Sequence, residues 1–288
     1  MRPRWITKQF TNILKFFFPG RKLFSRPSRL PILKQIYDYM LFDGDDVIYL
    51  PKNSVVQVNE PIDSVDNTVV PSDIVDHFIK VADYRWIMSF CICRSAEDCE
   101  DYPQSLGCIF LGESVLDISP DLGRLASKEE ALEHAQKCRD AGLVHMIGRN
   151  KIDRVWMGVP EGKLLTICNC CPCCCLWKLL PALDKSMSSR ITKMPGVELT
   201  VTEDCVGCGL CAKGICFVDA IQIQDGKAVI DQDQCRGCGR CVEICPQGAI
   251  EIEIQDENYF ENAVRRIAPL ADIGWTMPDD LDTLDKLQ

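Results

Sequence analysis

Two cysteine runs constrain what this chain can fold into more than any other feature. The first reads Cys205-x2-Cys208-x2-Cys211-x4-Cys216, and the second reads Cys235-x2-Cys238-x2-Cys241-x3-Cys245-Pro246. They belong to an internal repeat with a period near 30: Cys205 maps to Cys235, Cys208 to Cys238, Cys211 to Cys241, and Ala220-Ile221 to Ala249-Ile250. Spacers of two residues let three thiolates converge on one metal–sulfur group. Gly207, Gly209, Gly237 and Gly239 let the backbone wrap closely and aim its amides inward. A zinc site needs four ligands per ion and gives no reason to duplicate a triple cysteine run, so iron–sulfur clusters are the expected occupants.

Over roughly 60 residues these runs resemble a bacterial-type 2[4Fe-4S] ferredoxin domain. In that family the fourth cysteine of each run ligates the other cluster. The resemblance therefore implies one cluster on Cys205, Cys208, Cys211 and Cys245, and a second on Cys235, Cys238, Cys241 and Cys216. The first run departs from the pattern. It has four residues before Cys216 where three are usual, and Phe217 stands where proline is usual. A one-residue insertion can bulge outward without moving the thiolate.

Eleven of the nineteen cysteines precede this module. Cys91-Ile-Cys93-Arg94, Cys99 and Cys108 lie in one segment, and six more crowd into Cys168-Asn-Cys170-Cys171-Pro-Cys173-Cys174-Cys175. Between them run Glu129-Glu-Ala-Leu132 and Gly142-Leu-Val-His145. This pattern resembles the N-terminal region of a family of iron–sulfur proteins of anaerobic bacteria and archaea, over about residues 70–255. The resemblance implies a ferredoxin-like protein with an additional cysteine-rich front domain.

A third metal centre is expected there, on Cys93, Cys99, Cys108 and a cysteine of the knot, with Cys170 as the chosen fourth ligand and Cys168 and Cys171 as alternatives. Iron–sulfur is preferred to zinc. Competing readings are a redox-active dithiol and simple burial of small apolar thiols. Neighbouring residues of an extended chain face opposite ways, so Cys170 and Cys171 should not serve one site equally. Cys138 reads as a lone helical thiol, in the core or at the surface, Arg94 as half of a structural ion pair, and His145 as a cap on helix carbonyls.

Charge divides the chain. Residues 1–34 hold nine Lys/Arg and no acid, which leaves 23 bases and 42 acids for the rest, a net of −19. A body that acidic argues against nucleic acid and suits docking to a basic patch on a redox partner. In the arm, Ile6, Phe10, Ile13, Leu14 and Phe17 share one helical face, Pro19-Gly20 ends the pattern, and Pro27 and Pro31 suggest a linker. The arm is expected to contact an anionic membrane surface or an acidic partner. No apolar run reaches the length of a membrane span. The odd cysteine count and the absence of a signal-peptide pattern argue for a reduced, cytoplasmic setting, peripheral on the inner face of the membrane if the arm binds there.

The expected architecture is a basic amphipathic arm and linker (1–34), a mixed α/β cysteine-rich N-terminal domain (35–195), an α+β ferredoxin-like dicluster domain of ββ-α repeats (196–255) and a helical acidic tail (256–288). Strands are expected at 47–50, 55–58, 87–92 and 164–167. A helix capped by Ser72 should cover 74–82, and a capping box should open another at Ser127. No nucleotide-binding loop is present. The expected function is electron transfer through two [4Fe-4S] clusters, as a subunit of or donor to a low-potential oxidoreductase in anaerobic metabolism rather than as a stand-alone enzyme. A reductase whose front domain is fed by the ferredoxin half, and a redox or iron sensor, are the alternatives.

Overall fold

A computed structural model describes residues 4–52, 56–58, 71–254, 256 and 258–278. Arg2 of the arm, the expected strand position Val55 and the acidic end from residue 279 lie outside the described residues. The arm forms α1 (Arg4–Phe17), α2 (Arg21–Ser25) and α3 (Pro31–Tyr37). Then come β1 (Asp46–Tyr49), β2 (Val56–Val58), α4 (Pro71–Val81), β3 (Arg85–Met88), α5 (Ile92–Ala96), β4 (Ile109–Leu111) and β5 (Gly123–Leu125). The front half closes with α6 (Lys128–Asp140), β6 (Val144–Arg149), α7 (Lys151–Met157), β7 (Leu165–Cys170), α8 (Lys185–Ser188) and β8 (Ile191–Lys193). The cysteine repeat supplies β9 (Val197–Val201), β10 (Ile221–Gln224), β11 (Lys227–Ile230), α9 (Arg240–Glu243) and β12 (Ile250–Ile254), and α10 (Tyr259–Ile267) follows.

Seven strands make one sheet in the order β5-β3-β4-β7-β6-β1-β8, with every neighbouring pair antiparallel except β1 and β8. Because β4 runs antiparallel to both β3 and β7, the C-terminal ends of those two strands and the N-terminal end of β4 meet at one end of the sheet. Side chains alternate across it. Ile109 and Leu111 join a core with Ile74 and Phe78 of α4 and Val264 and Ile267 of α10. Phe110, between them, joins the opposite core with Trp156 of α7, against which Phe10 and Leu14 of α1 pack.

Several local expectations change in the structure. Strand β3 ends at Met88, and Cys91 is the extended residue that precedes α5. Helix α4 starts at Pro71, where a proline loses no hydrogen bond, so Ser72 lies inside its first turn. His145 lies in β6, not at a helix end, and its Nδ1 faces Asn169 Oδ1 at 2.8 Å. The capping box forms as expected: Ser127 Oγ accepts from Glu130 N at 3.2 Å, and Glu130 Oε2 accepts from Ser127 N at 2.8 Å.

The arm packs on the body with only part of the expected face, through Phe10 and Leu14, and adds polar residues to the contact. Thr7 and Thr11 are buried, and Thr11 Oγ1 donates to Thr7 O at 2.8 Å and accepts from Trp156 Nε1 at 3.0 Å. Ile13 and Phe17 of the expected stripe point outward. Pro27 and Pro31 start helical turns instead of forming a linker, and the boundary drawn at residue 34 falls inside α3.

The cysteine repeat is not a free-standing appendage. β12 pairs antiparallel with β9 and parallel with β2, a strand contributed by the front half. Phe217 is almost fully buried and packs against Tyr49 of β1 with ring centroids 5.4 Å apart. One continuous apolar core runs from α4 through the sheet to Phe217, Val218, Ile252 and α10.

His77 on α4 is buried among Phe78, Phe260 and Trp275, neither ring nitrogen has a hydrogen-bond partner, and burial pushes its pKa down to about 4. Its contribution to stability is complete above the unfolded value near 6.5 and is lost as the pH falls towards 4. The difference between wild type and His77→Phe in urea-unfolding free energy is therefore expected to change by about 3 kcal/mol between pH 7 and pH 4, in favour of the variant at low pH. A pH-independent difference would contradict this account.

Candidate metal centres

The two repeat loops have matching backbones. Gly207 and Gly237 both take φ of +65°, while Gly209 and Gly239 take +76° and +78°. A Cβ on Gly207 would lie 2.1 Å from the Gly226 carbonyl oxygen, so the turn needs glycine twice over. Amides point at the thiols. Ala228 N lies 3.3 Å from Cys205 Sγ, and Gly237 N lies 3.4 Å from Cys235 Sγ. Four residues beyond each run's last cysteine, Ala220 N and Ala249 N stand 3.3 Å from Cys216 Sγ and Cys245 Sγ.

The last cysteine of each run stands near the other run. Cys245 lines the same hollow as Cys205, Cys208 and Cys211, and Cys216 stands within electrostatic reach of Cys235, Cys238 and Cys241. The extra residue before Cys216 is absorbed in a turn at Gly214, whose φ of +73° opens onto empty space. Burial, followed by the neighbouring sulfurs, pushes the Cys238 thiol up to about 12. Four thiols per site with amides directed at sulfur suit a soft metal–sulfur group that binds them as thiolates.

At the front end of the sheet, Cys91 and Cys93 follow β3, Cys108 precedes β4, and Cys168 and Cys170 finish β7. With Cys175 they line a cavity of about 280 Å³. Its other wall comes from the arm, through Leu14, Phe17, Phe18 and Arg21. Cys108 Sγ and Cys168 Sγ are 3.8 Å apart. The Cys91 thiol is held down to about 6, chiefly by its hydrogen bond with Cys93, and Cys168 is held well below the ordinary thiol range by Cys108 and Cys170. One carboxyl oxygen of Asp153 is buried in the wall without a hydrogen-bond partner, and burial pushes that carboxyl well above its usual range.

Arg94 also lines this cavity and is wholly buried. It donates to Pro103 O at 3.0 Å, to Asn169 O at 2.9 Å and to Leu106 O. Among the described residues no carboxylate pairs with it, in contrast to the expected ion pair. Burial disfavours its charge, but the Cys91, Cys171 and Cys108 thiols more than offset that and raise its pKa. A buried guanidinium without a counter-charge is costly, and cysteine sulfurs are what surrounds this one, of which Cys91 is the one held below the ordinary thiol range.

The four cysteines expected to share one front centre are divided. Cys93, Cys108 and Cys170 line the cavity, whereas Cys99 stands with Cys171, Cys173 and Cys174, all four Sγ atoms lying within 4.8 Å of one another. Cys170 and Cys171 thus face different groups, as alternation along an extended chain requires, although Cys171 also touches the cavity wall. Cys168, an expected alternative for the fourth ligand, lies in the cavity set, and Cys91 and Cys175 join it beyond the expected ligands. Their signal is the crossing of strand ends, which spacing alone does not carry. Cys138 is fully buried beside Cys171 and Cys174, which places it in the core rather than at the surface.

The two regions meet. Arg240, next to Cys241, donates to Gly142 O at 2.8 Å and to Tyr102 Oη at 3.0 Å. The buried Tyr49 hydroxyl has its pKa raised by burial first and then by the sulfurs of Cys175, Cys170 and Cys238, so both groups of thiols lie within its electrostatic reach.

Comparison with known proteins agrees with the cysteine chemistry of the repeat. Residues 228–251, which include the second run, match the 4Fe-4S binding domain family. The chain is 50% identical over 48 residues to a subunit of the ion-translocating oxidoreductase complex of Methanosarcina acetivorans, covering 17% of this chain and 18% of that protein. It is 39% identical over 66 residues to an uncharacterized ferredoxin of Methanocaldococcus jannaschii, covering 23% and 41%. Identity to a subunit of the Na(+)-translocating ferredoxin:NAD(+) oxidoreductase complex of Acetobacterium woodii is 40% over 72 residues, covering 22% and 21%. The chain therefore spans less than half the length of each of these relatives. No solved structure matches it. No described helix is long and apolar enough to cross a membrane. The C-terminal repeat carries a 4Fe-4S ferredoxin-type domain.

Substitution at the loop glycines should separate backbone need from mere exposure. Gly207→Ala forces Gly226 aside and is expected to lower the iron and acid-labile sulfide recovered per chain by about four each, the content of one four-iron cluster. Gly214→Ala, strained by about 1–2 kcal/mol but unobstructed, should keep its full iron content. Equal iron content in the two variants would refute the distinction.

Proposed function

We propose that the chain is an iron–sulfur electron-transfer protein carrying two [4Fe-4S] clusters, one on Cys205, Cys208, Cys211 and Cys245 and one on Cys235, Cys238, Cys241 and Cys216. It serves as a subunit of, or donor to, a larger low-potential oxidoreductase in anaerobic metabolism, in a reduced cytoplasmic setting. The single observation that supports this reading is the duplication in space: the last cysteine of each run stands beside the other triple run, inside loops of matching backbone. The names of two relatives, both subunits of ion-translocating oxidoreductase complexes, support a place in such an assembly. A [4Fe-4S] cluster supplies reversible one-electron storage. The chain's own residues hold the thiolates, direct amides at sulfur and exclude water around the second run.

A further centre in the cysteine-lined cavity makes the front half an electron acceptor fed by the ferredoxin half. What favours this reading is Tyr49, which has Cys170, Cys175 and Cys238 within its electrostatic reach inside one apolar core. Cys93, Cys108 and Cys170, together with Cys91, Cys168 and Cys175, offer more thiols than one cluster needs.

The arm also suits peripheral contact with an anionic membrane. It leaves Phe16 79% exposed, Ile32 81% and Leu23 65%, beside Lys8, Lys22 and Arg29.

Full-length protein purified without oxygen is expected to hold at least eight iron and eight acid-labile sulfide per chain, the content of two cubanes. Its reduced EPR spectrum should show two interacting clusters. Cys245→Ser should abolish that interaction by damaging the cluster on Cys205, Cys208 and Cys211, leaving the cluster on Cys235, Cys238 and Cys241. Zinc without iron at these cysteines would overturn the proposal.

Phe16→Glu combined with Ile32→Glu, both on the outer surface, should abolish co-sedimentation with phosphatidylserine vesicles at low salt while leaving the iron content unchanged. If the unaltered protein does not sediment with those vesicles, the arm has no membrane role.

A further inference from the structure

We propose that Cys99, Cys171, Cys173 and Cys174 bind a single tetrahedral metal ion, zinc(II) or iron(II), as a site separate from the cavity and from the ferredoxin clusters. The argument starts from distance. A zinc– or iron–thiolate bond is about 2.3 Å long, so the sulfurs of a tetrahedral four-thiolate site stand about 3.8 Å apart. Here Cys99 Sγ lies 3.5 Å from Cys173 Sγ, Cys173 Sγ lies 3.5 Å from Cys174 Sγ, and all four sulfurs fall within 4.8 Å of one another. That spacing closes on one ion. A cubane binds its thiolates on separate irons at different corners and needs them farther apart. Cys174 N also stands 3.4 Å from Cys171 Sγ, turning the loop so that both thiols face inward.

Chemistry and location point the same way. Four soft thiolates with no oxygen or nitrogen ligand select zinc or iron over hard cations. A closed set of four leaves no position for substrate, which marks a structural or one-electron site. The ion would fasten the segment between α5 and β4, which holds Cys99, to the turn after β7, which holds the other three. Arg21 of the arm touches both sides of this junction, pairing with Glu97 and donating to Cys174 O at 3.3 Å. The fully buried Arg94 is within the electrostatic reach of Cys171, so positive charge already faces a site that a bound ion and four thiolates would make dianionic. The site thus fixes the cavity wall that carries Cys170 and Cys175, and its place in the fold does not depend on how the ferredoxin loops are loaded.

The test is elemental. Full-length protein purified without oxygen should contain one metal ion beyond the iron matched by acid-labile sulfide: either one zinc, or one iron in excess of sulfide. For zinc, edge absorption spectroscopy should show four sulfur neighbours at about 2.3 Å. For iron, the Mössbauer spectrum of the reduced protein should show a high-spin ferrous component of the tetrahedral thiolate type. Cys99→Ala and Cys173→Ala should each remove that ion and leave the sulfide content unchanged. Should a variant also lose sulfide, the metal-to-sulfide ratio and coordination spectrum of the unaltered protein decide the matter. Iron and sulfide in equal amounts with no zinc would overturn the site. So would zinc with oxygen or nitrogen ligands, or an ion retained by both variants.

Discussion

A positive charge that water cannot reach governs the front half of this molecule. Arg94 spends its donors on the carbonyls of Pro103, Leu106 and Asn169, which come from the segment before β4 and from β7. Those bonds fix its direction but supply no counter-charge. The groups near enough to do so are sulfurs, those of Cys91, Cys108 and Cys171. In an apolar interior a thiolate answers that imbalance, and Cys91, held below the ordinary thiol range, is the sulfur of the three best placed to carry the charge. The strand ends that deliver those cysteines and the loop that turns around Arg94 are therefore parts of one electrostatic arrangement.

Much of the repeat could be read directly from the sequence, because its geometry is local. Cysteine spacing, glycine positions and the period near 30 residues all lie within one turn of chain, and the structure gives them matching backbones. The front domain was legible only in part. That the ends of two strands would gather cysteines at one place follows from their order along the chain, and β3 and β7 do end together. The presence of β4 between them, bringing Cys108, is a matter of sheet order that no periodicity encodes. The separation of Cys99 from Cys93 and Cys108 depends on α5, a single helical turn too short to leave a hydrophobic pattern. The arm departs from its pattern for a related reason. Its apolar stripe is real, but the buried hydrogen bond from Trp156 to Thr11 turns the threonine side of α1 towards the body and leaves part of the stripe facing outward.

The departures of the first cysteine run from the ferredoxin pattern have separate consequences. The additional residue is spent in an open turn at Gly214, at no cost to Cys216. The replacement of proline by Phe217 puts a ring into the shared core against Tyr49. A small cysteine-rich module with little interior of its own is thereby fixed to a sheet that has one. The orientation of the second run towards the cavity thiols follows from that anchoring and from the Arg240 bonds to Gly142 and Tyr102.

The pairing of β2 with β12 bears on how the molecule is made. The strand at Val56–Val58 leaves the ribosome long before Ile250–Ile254, the partner it needs. Contacts so distant in sequence form late, and until they do the front half has an incomplete core. Both cysteine runs are translated in that interval. Loading of the clusters and closure of the whole fold are thus joined in time, and a chain starved of iron or sulfide during synthesis would leave its front half exposed to proteolysis along with its ferredoxin loops.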